Sequence, residues 1–240
     1  MVVFSLFFYY YIGLEGVILG IAFSFFPYIK RIYSSLKSDK INFSLIRPRI
    51  GFIVNSYALD LSRTFSGYTD KLIIAPLFGF AILGNYQLGI QVLAILTILP
   101  GIVYQYILPR DSSGDSNKKL KKLTIAVSII LAGLGFILAP IILPVFFPKF
   151  TEAIEVIQIV SISVIPSTIN LMYISKFLGN ELTKIVLVGS GIFLSVQIIS
   201  ILILGELLGV NGVAIALVLG ASTEAIFLVT VNKVIYKLTD

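Results

Sequence analysis

Apolar residues fill most of this chain in long stretches broken by short polar clusters, and the stretches have the length of membrane-crossing helices. A helix needs about 20 mainly apolar residues to cross a bilayer core. Seven segments meet that length: 16–34, 50–77, 82–107, 119–145, 151–177, 182–205 and 211–236. None shows the two-residue alternation of a barrel strand, so the pattern predicts helices. The expected fold class is an all-α polytopic membrane helix bundle of about seven transmembrane helices. Six form one bundle, and the first is the last helix of a preceding bundle.

Composition sharpens this picture. Of 240 residues 58% are hydrophobic and 12% charged, about half the roughly 25% charged share of soluble domains, and mean hydropathy is +1.02. The chain has no Cys and no His, which removes thiol nucleophiles, imidazole bases, disulfides and Cys/His metal sites. No cofactor, no metal and no enzymatic activity are expected. The net charge of +6 sits in short tethers between apolar runs, where anionic membrane lipids are its expected partners and nucleic acid is not. No Lys or Arg precedes Lys30, so the N-terminus does not read as a signal peptide.

Basic residues also orient the chain. Lys30, Arg31, Lys37, Lys40, Arg47 and Arg49 follow the first segment; Arg110, Lys118, Lys119, Lys121 and Lys122 follow the third. Lys176 and Lys184 flank the connection after the fifth, Lys233 and Lys237 close the chain, and Lys149 alone lies on the opposite connections. The positive-inside rule then predicts a multi-pass protein of the cell membrane with a cytoplasmic C-terminus. Its expected domains are 1–36, the end of a preceding bundle with one full helix at 16–34; 37–49, a basic cytoplasmic linker able to lie along the inner headgroups; 50–236, a six-helix bundle; and 237–240, a tail.

Residues 12–20, IGLEGVILG, superpose on 208–216, LGVNGVAIA, at an offset of 196. Gly16, Gly20 and Ser24 recur as Gly212, Ala216 and Gly220, a small-residue stripe on which membrane helices approach closely. The offset corresponds to roughly six helices with their loops, the size of one bundle in transporters built from related halves. On this reading residues 1–11 end a preceding helix, and the chain begins inside a larger architecture.

The runs TDKLIIAPLFGFAILGNYQLGIQV (69–92), LPVFFPKFTEA (143–153) and GELLGVNGVAIALVLG (205–220) resemble the C-terminal half of polysaccharide flippases and exporters of the multidrug/oligosaccharidyl-lipid/polysaccharide exporter superfamily. The resemblance covers residue 12 to the end. It implies two six-helix bundles around a central cavity, alternating access, and a lipid-linked oligosaccharide as substrate. Most of the first bundle has no counterpart in the chain. The resemblance maps an acid-plus-base pattern onto Asp70 and Lys71 only.

Within the second segment Ser56, Asp60, Arg63, Gly67 and Asp70 follow one another by four and three residues, which at about 100° per residue places them within an arc of about 80°. Ionised residues cost roughly 2.5–3.5 kcal/mol each at mid-membrane, so this face is expected to line a cavity or another helix. Two readings stay open. Asp60 and Arg63 neutralise one another across one turn, and Asp70 and Lys71 do likewise; or Arg63 presents a planar donor fork, and Lys71 a point charge, to a phosphate head.

Glu224 extends the Gly212, Ala216, Gly220 stripe to mid-span. It reads as a site for a coupling ion or as a hydrogen bond that locks two helices. Gln87 and Gln91 share one face of the third segment and suit sugar hydroxyls or interhelical bonds, as do Gln158, Ser161, Thr168 and Asn170 of the fifth. Glu152 and Glu155 read as first-turn acids that offset a helix dipole. Pro166 removes the donor to the carbonyl of Ile162 and is the gating candidate, the alternative being a fixed kink. The loop PRDSSGDSNKK reads as a turn-rich linker.

The expected function is membrane transport, as a flippase component that moves lipid-linked oligosaccharide together with a missing N-terminal half or a second chain. An ion-coupled multidrug exporter of similar fold and an inactive or structural half-transporter are the alternatives. A membrane glycosyltransferase would need paired outer-loop carboxylates, whereas Glu15, Glu152 and Glu206 are scattered in sequence.

Overall fold

The computed structural model describes residues 2–38, 47, 50–115 and 117–237, and among them helix is the only regular element. Two compact units divide the chain, Met1–Ile50 and Gly51–Asp240.

The first unit holds α1 (Val2–Ile12), α2 (Leu14–Ser24) and α3 (Phe26–Ser38). The segment 16–34 expected to be one span is therefore two helices meeting at Phe25. Pro27 explains the break, because it has no N–H to give to the carbonyl of Phe23 yet fits the first turn of a new helix. At about 1.5 Å per residue an 11-residue helix covers about 16 Å, half a bilayer core. Of the linker expected at 37–49, residues 39–46, 48 and 49 lie outside the described residues.

The second unit holds α4 (Ile50–Phe78), α5 (Phe80–Leu96), α6 (Ile98–Ser112), α7 (Lys118–Phe146), α8 (Ala153–Ile162), α9 (Val164–Gly179), α10 (Thr183–Leu208) and α11 (Val210–Lys237). Among the described residues four stretches are long and apolar enough to cross a membrane: Lys118–Phe146, Ala153–Gly179, Thr183–Leu208 and Val210–Ile235. The α5–α6 pair, bent by 49°, makes a fifth. This is a multi-pass membrane helix bundle, with four to five such spans where the sequence reading has seven. The difference lies in the segment 16–34, which breaks, and in α4, whose 29 residues include Asp60, Arg63, Asp70 and Lys71.

Packing in this unit inverts the soluble pattern. Along α7 the buried residues are Thr124, Ser128, Ala132, Gly135, Ala139 and Leu143, while Ile130, Ile137 and Ile141 are exposed. Small residues let backbones approach and large apolar ones face the lipid, where they lose nothing. The most central helix is α11. Its Val213 and Ala216 pack with Ile74, Tyr86 and Ile201, its Ala214 and Leu217 with Val156 and Val160, and its Leu228 with Ile174, Phe177 and Val186.

Breaks in the long spans fall beside prolines. Pro100 has no N–H for the carbonyl of Leu96, and the α5–α6 bend falls at Thr97, whose hydroxyl donates to the carbonyl of Leu93 (2.8 Å). Pro166 stands likewise beyond Ser163, where α8 gives way to α9 and the Ser163 hydroxyl donates to the carbonyl of Val160 (2.7 Å). Hydroxyls that bond back to helix carbonyls favour such bends.

The repeat at offset 196 is written into the backbone. α1 ends at Ile12 and α10 at Leu208; α2 starts at Leu14 and α11 at Val210. Between them Gly13 (φ 73°, ψ −146°) and Gly209 (φ 59°, ψ −134°) adopt the same conformation, one effectively reserved to glycine. Gly13 donates to the carbonyl of Tyr9 (2.9 Å) and Gly209 to that of Gly205 (3.0 Å), equivalent positions. A Cβ on Gly16 would lie 2.0 Å from the carbonyl oxygen of Phe8, and one on Gly212 would lie 1.8 Å from that of Leu204, again 196 residues apart. Gly212→Ala is therefore expected to force α10 and α11 apart at a cost of about 1–3 kcal/mol, lowering the thermal midpoint of the purified chain. Gly191→Ala, whose Cβ meets open space, should leave the midpoint unchanged or raise it, since alanine favours helix by up to about 1 kcal/mol.

Candidate functional site

The polar interior of the second unit centres on a cavity of about 520 Å³ walled by α5, α9, α10 and α11. Ile90, Leu93, Leu171, Ile174 and Phe193 give it apolar walls; Thr97, Ser167, Asn170, Ser190 and Glu224 give it polar groups. Glu224 and Asn170 are 8% and 5% exposed. The Asn170 amide donates to Glu224 Oε2 (2.8 Å) and to the carbonyl of Ala221 (3.1 Å). Its Oδ1 is buried without a hydrogen-bond partner among the described residues. Local sequence explains the placement. Gly212, Ala216, Gly220 and Glu224 occupy one face at four-residue spacing, and the stripe that lets α11 approach its neighbours carries Glu224 inward with it. The acidic residue of the lining is Glu224, and the hydroxyls of Thr97, Ser167 and Ser190 and the amide of Asn170 share the cavity with it.

The α4 residues are placed differently. Asp70 is 6% exposed; it accepts from the Tyr86 hydroxyl (2.8 Å) and from the backbone N–H of Lys71 (2.8 Å). The expected Asp70–Lys71 side-chain pair is not made. The Lys71 ammonium donates instead to the carbonyl of Gly67 (2.9 Å) and lies 5.0 Å from the centre of the Tyr68 ring. The reason is geometric, since adjacent residues of a helix point about 100° apart. Asp60 and Gly67 are exposed, so among the described residues of the face expected to be covered only Asp70 is buried. The Asp60–Arg63 pairing depends on the Arg63 side chain, which lies outside the described residues. Gln87 is half-buried and Gln91 exposed. Asp60, Asp70, Lys71, Gln87 and Gln91 are not among the residues that wall the cavity, whereas Glu224 is. Pro166 stands next to the cavity residue Ser167.

Six polar contacts are not legible in the sequence. Tyr86, fully buried, is the partner of Asp70 and also bonds the Gln197 side chain. Asp111 was read into a turn-rich linker, but α6 continues to Ser112; Asp111 is buried, pairs with Lys121 (2.6 Å) and accepts from the Ser175 hydroxyl (2.6 Å). Glu152 and Glu155 do more than offset a dipole, because they accept from the amides of Asn85 (3.0 Å) and Asn211 (2.5 Å).

Tyr86→Phe leaves the Asp70 carboxylate buried and one donor short, a loss of about 1–3 kcal/mol by the usual cost of an unsatisfied buried group. It should lower the thermal midpoint of the purified chain, and Tyr86→Phe with Asp70→Leu together should lower it less than the sum of the two single changes.

Comparisons of the chain with protein-family models, with curated proteins and with solved structures give no match in any of the three.

Proposed function

We propose that the chain is a non-enzymatic transport component, part of a flippase that moves a lipid-linked oligosaccharide across the cell membrane by alternating access, with its C-terminus cytoplasmic. The observation that carries the reading is the open, mainly apolar cavity of about 520 Å³ into which the apolar helix bundle brings three hydroxyls, one amide and one carboxyl group. Polar groups are costly at that depth and mark substrate or ion pathways when they face a cavity. Serine, threonine and asparagine suit sugar hydroxyls, and Asn170 Oδ1 is an acceptor in place. The chain carries one bundle and one hairpin that matches the α10–α11 hairpin, so a second bundle completes the working assembly. On this reading Arg63, central in α4, is the cation that recognises the phosphate head.

One observation favours a second reading, an ion-coupled exporter of cationic compounds. Among the residues that wall the cavity the acidic one is Glu224, and an acid that faces a cavity within the membrane suits a proton or an organic cation.

Vesicles from native-host membranes expressing each variant separate the two. Ser167→Leu and Ser190→Leu fill the cavity without burying a charge, and each is expected to slow flipping of a fluorescent lipid-linked oligosaccharide at least tenfold at equal folded protein. Full-rate flipping by both would show that this cavity is not the substrate path, and no flipping by the unaltered chain above vesicles that lack it would end the transport reading. Arg63→Gln should abolish oligosaccharide flipping, whereas a cation exporter keeps its ethidium efflux in that variant and loses it in Glu224→Gln.

A further inference from the structure

The basic residues that the charge pattern assigns to one side of the membrane do not all spread over its surface. Lys118, Lys121 and Lys122 open α7 at spacings of three and four, hence on one face. With Lys176 of α9 and Asn232 of α11 they line a pocket of about 200 Å³, floored by Ile125, Met172 and Tyr173. Four ammonium groups converge there. Among the described residues Asp111 binds Lys121 at 2.6 Å, with side-chain exposures of 12% for the lysine and 1% for the aspartate. Lys176 donates to Asn232 Oδ1 (2.8 Å) and feels the positive charges of Lys121 and Lys118 as well as the negative one of Asp111. Among the described residues the one other ion pair is Arg110–Asp115, at 3.7 Å.

Such an arrangement costs stability as it stands. Like charges repel, and lysines in the first turn face the positive end of the α7 dipole. Both terms change sign when an anion enters, because ammonium groups and helix N-terminus then point at a negative charge. A volume of about 200 Å³ leaves room for a phosphate or diphosphate group. The apolar floor matches the glycerol and upper acyl region of a lipid at the membrane interface, and basic pockets between helices are the usual receptors of anionic headgroups. We infer that the pocket formed by Lys118, Lys121, Lys122, Lys176 and Asn232 is a binding site for a phosphate group, carried by an anionic phospholipid or by a free phosphate or diphosphate. It lies about 12 Å along α11 from Glu224, eight residues at 1.5 Å each, and is a separate site from the central cavity.

The test uses the full chain, purified in detergent, stripped of lipid, and titrated in parallel with phosphatidylglycerol, phosphatidylcholine, inorganic phosphate and pyrophosphate. Bound molecules are counted by native mass spectrometry, and gel filtration reports folding. One phosphatidylglycerol, phosphate or pyrophosphate is expected to bind where phosphatidylcholine does not. Lys118→Gln with Lys122→Gln and Lys176→Gln should weaken it at least tenfold. Lys119→Gln with Lys184→Gln and Lys233→Gln removes the same charge outside the pocket and should weaken it less than twofold. Should the first triple variant misfold, Lys122→Gln alone changes an exposed side chain and should weaken binding about threefold. Binding of the lipid but not the free anions identifies a headgroup site, and the converse a soluble-anion site. Equal losses in the two triple variants, an unchanged affinity in Lys122→Gln, or no binding of any anion overturns the inference.

Discussion

Inside a bilayer a polar group has no water to turn to, so a carboxylate or amide carried into this bundle is costly unless the protein offers it a partner. That constraint fixes which helices touch and at what height. Asp70 of α4 is met by Tyr86 of α5, Glu224 of α11 by Asn170 of α9, and Asp111 of α6 by Lys121 of α7 and Ser175 of α9. Two of these bonds tie consecutive helices, α4 to α5 and α6 to α7, and two tie helices apart in sequence order, α9 to α11 and α6 to α9. Sliding a helix by one residue would move its polar side chain about 100° around the axis and strand both partners. Apolar contacts cannot set register this way, because lipid tails compete with leucine on equal terms.

Close backbone approach is the second requirement, and glycine and alanine supply it. The α10–α11 hairpin closes where Gly212 lies against the carbonyl of Leu204, and the α1–α2 hairpin closes in the same way at Gly16 and Phe8. Helices this near each other place their side-chain ends within hydrogen-bond reach of further helices. Glu224 is delivered to Asn170 by the same stripe that brings α11 inward, so packing and polar chemistry are two consequences of one four-residue spacing.

How much of this is legible in the sequence depends on whether a feature is local. The helical class, the hairpin glycines and the inward face of Glu224 follow from periodicity within single helices. So does the weakness around Pro166. Pro27 carries the same message but sits in a continuous apolar run, where hydropathy hides a break. Asp111 was lost for the opposite reason, since Pro109 and the Ser, Gly and Asp residues after it read as a helix stop, whereas α6 runs on past Pro109. The pairings Asn170–Glu224, Asp70–Tyr86 and Lys176–Asn232 join residues 54, 16 and 56 positions apart. Nothing in local spacing encodes them; only the packed bundle selects which polar side chain meets which.

The placement of the helix breaks relative to the cavity joins these strands. Thr97, at the α5–α6 bend, is itself a cavity residue, and Ser163, between α8 and α9, is one turn from the cavity residue Ser167. At both places a proline removes one backbone bond from the wall. The remaining walls, α10 and α11, are continuous through the same depth and are pinned to each other at Gly212. The cavity is thus bounded on one side by a rigid hairpin and on the other by two helices interrupted level with it. A change in cavity shape meets least backbone resistance on the α5 and α9 side. Asn170, on the interrupted wall, is bonded across the cavity to Glu224 on the rigid one. That bond holds the interrupted wall to the rigid one at the level of the cavity.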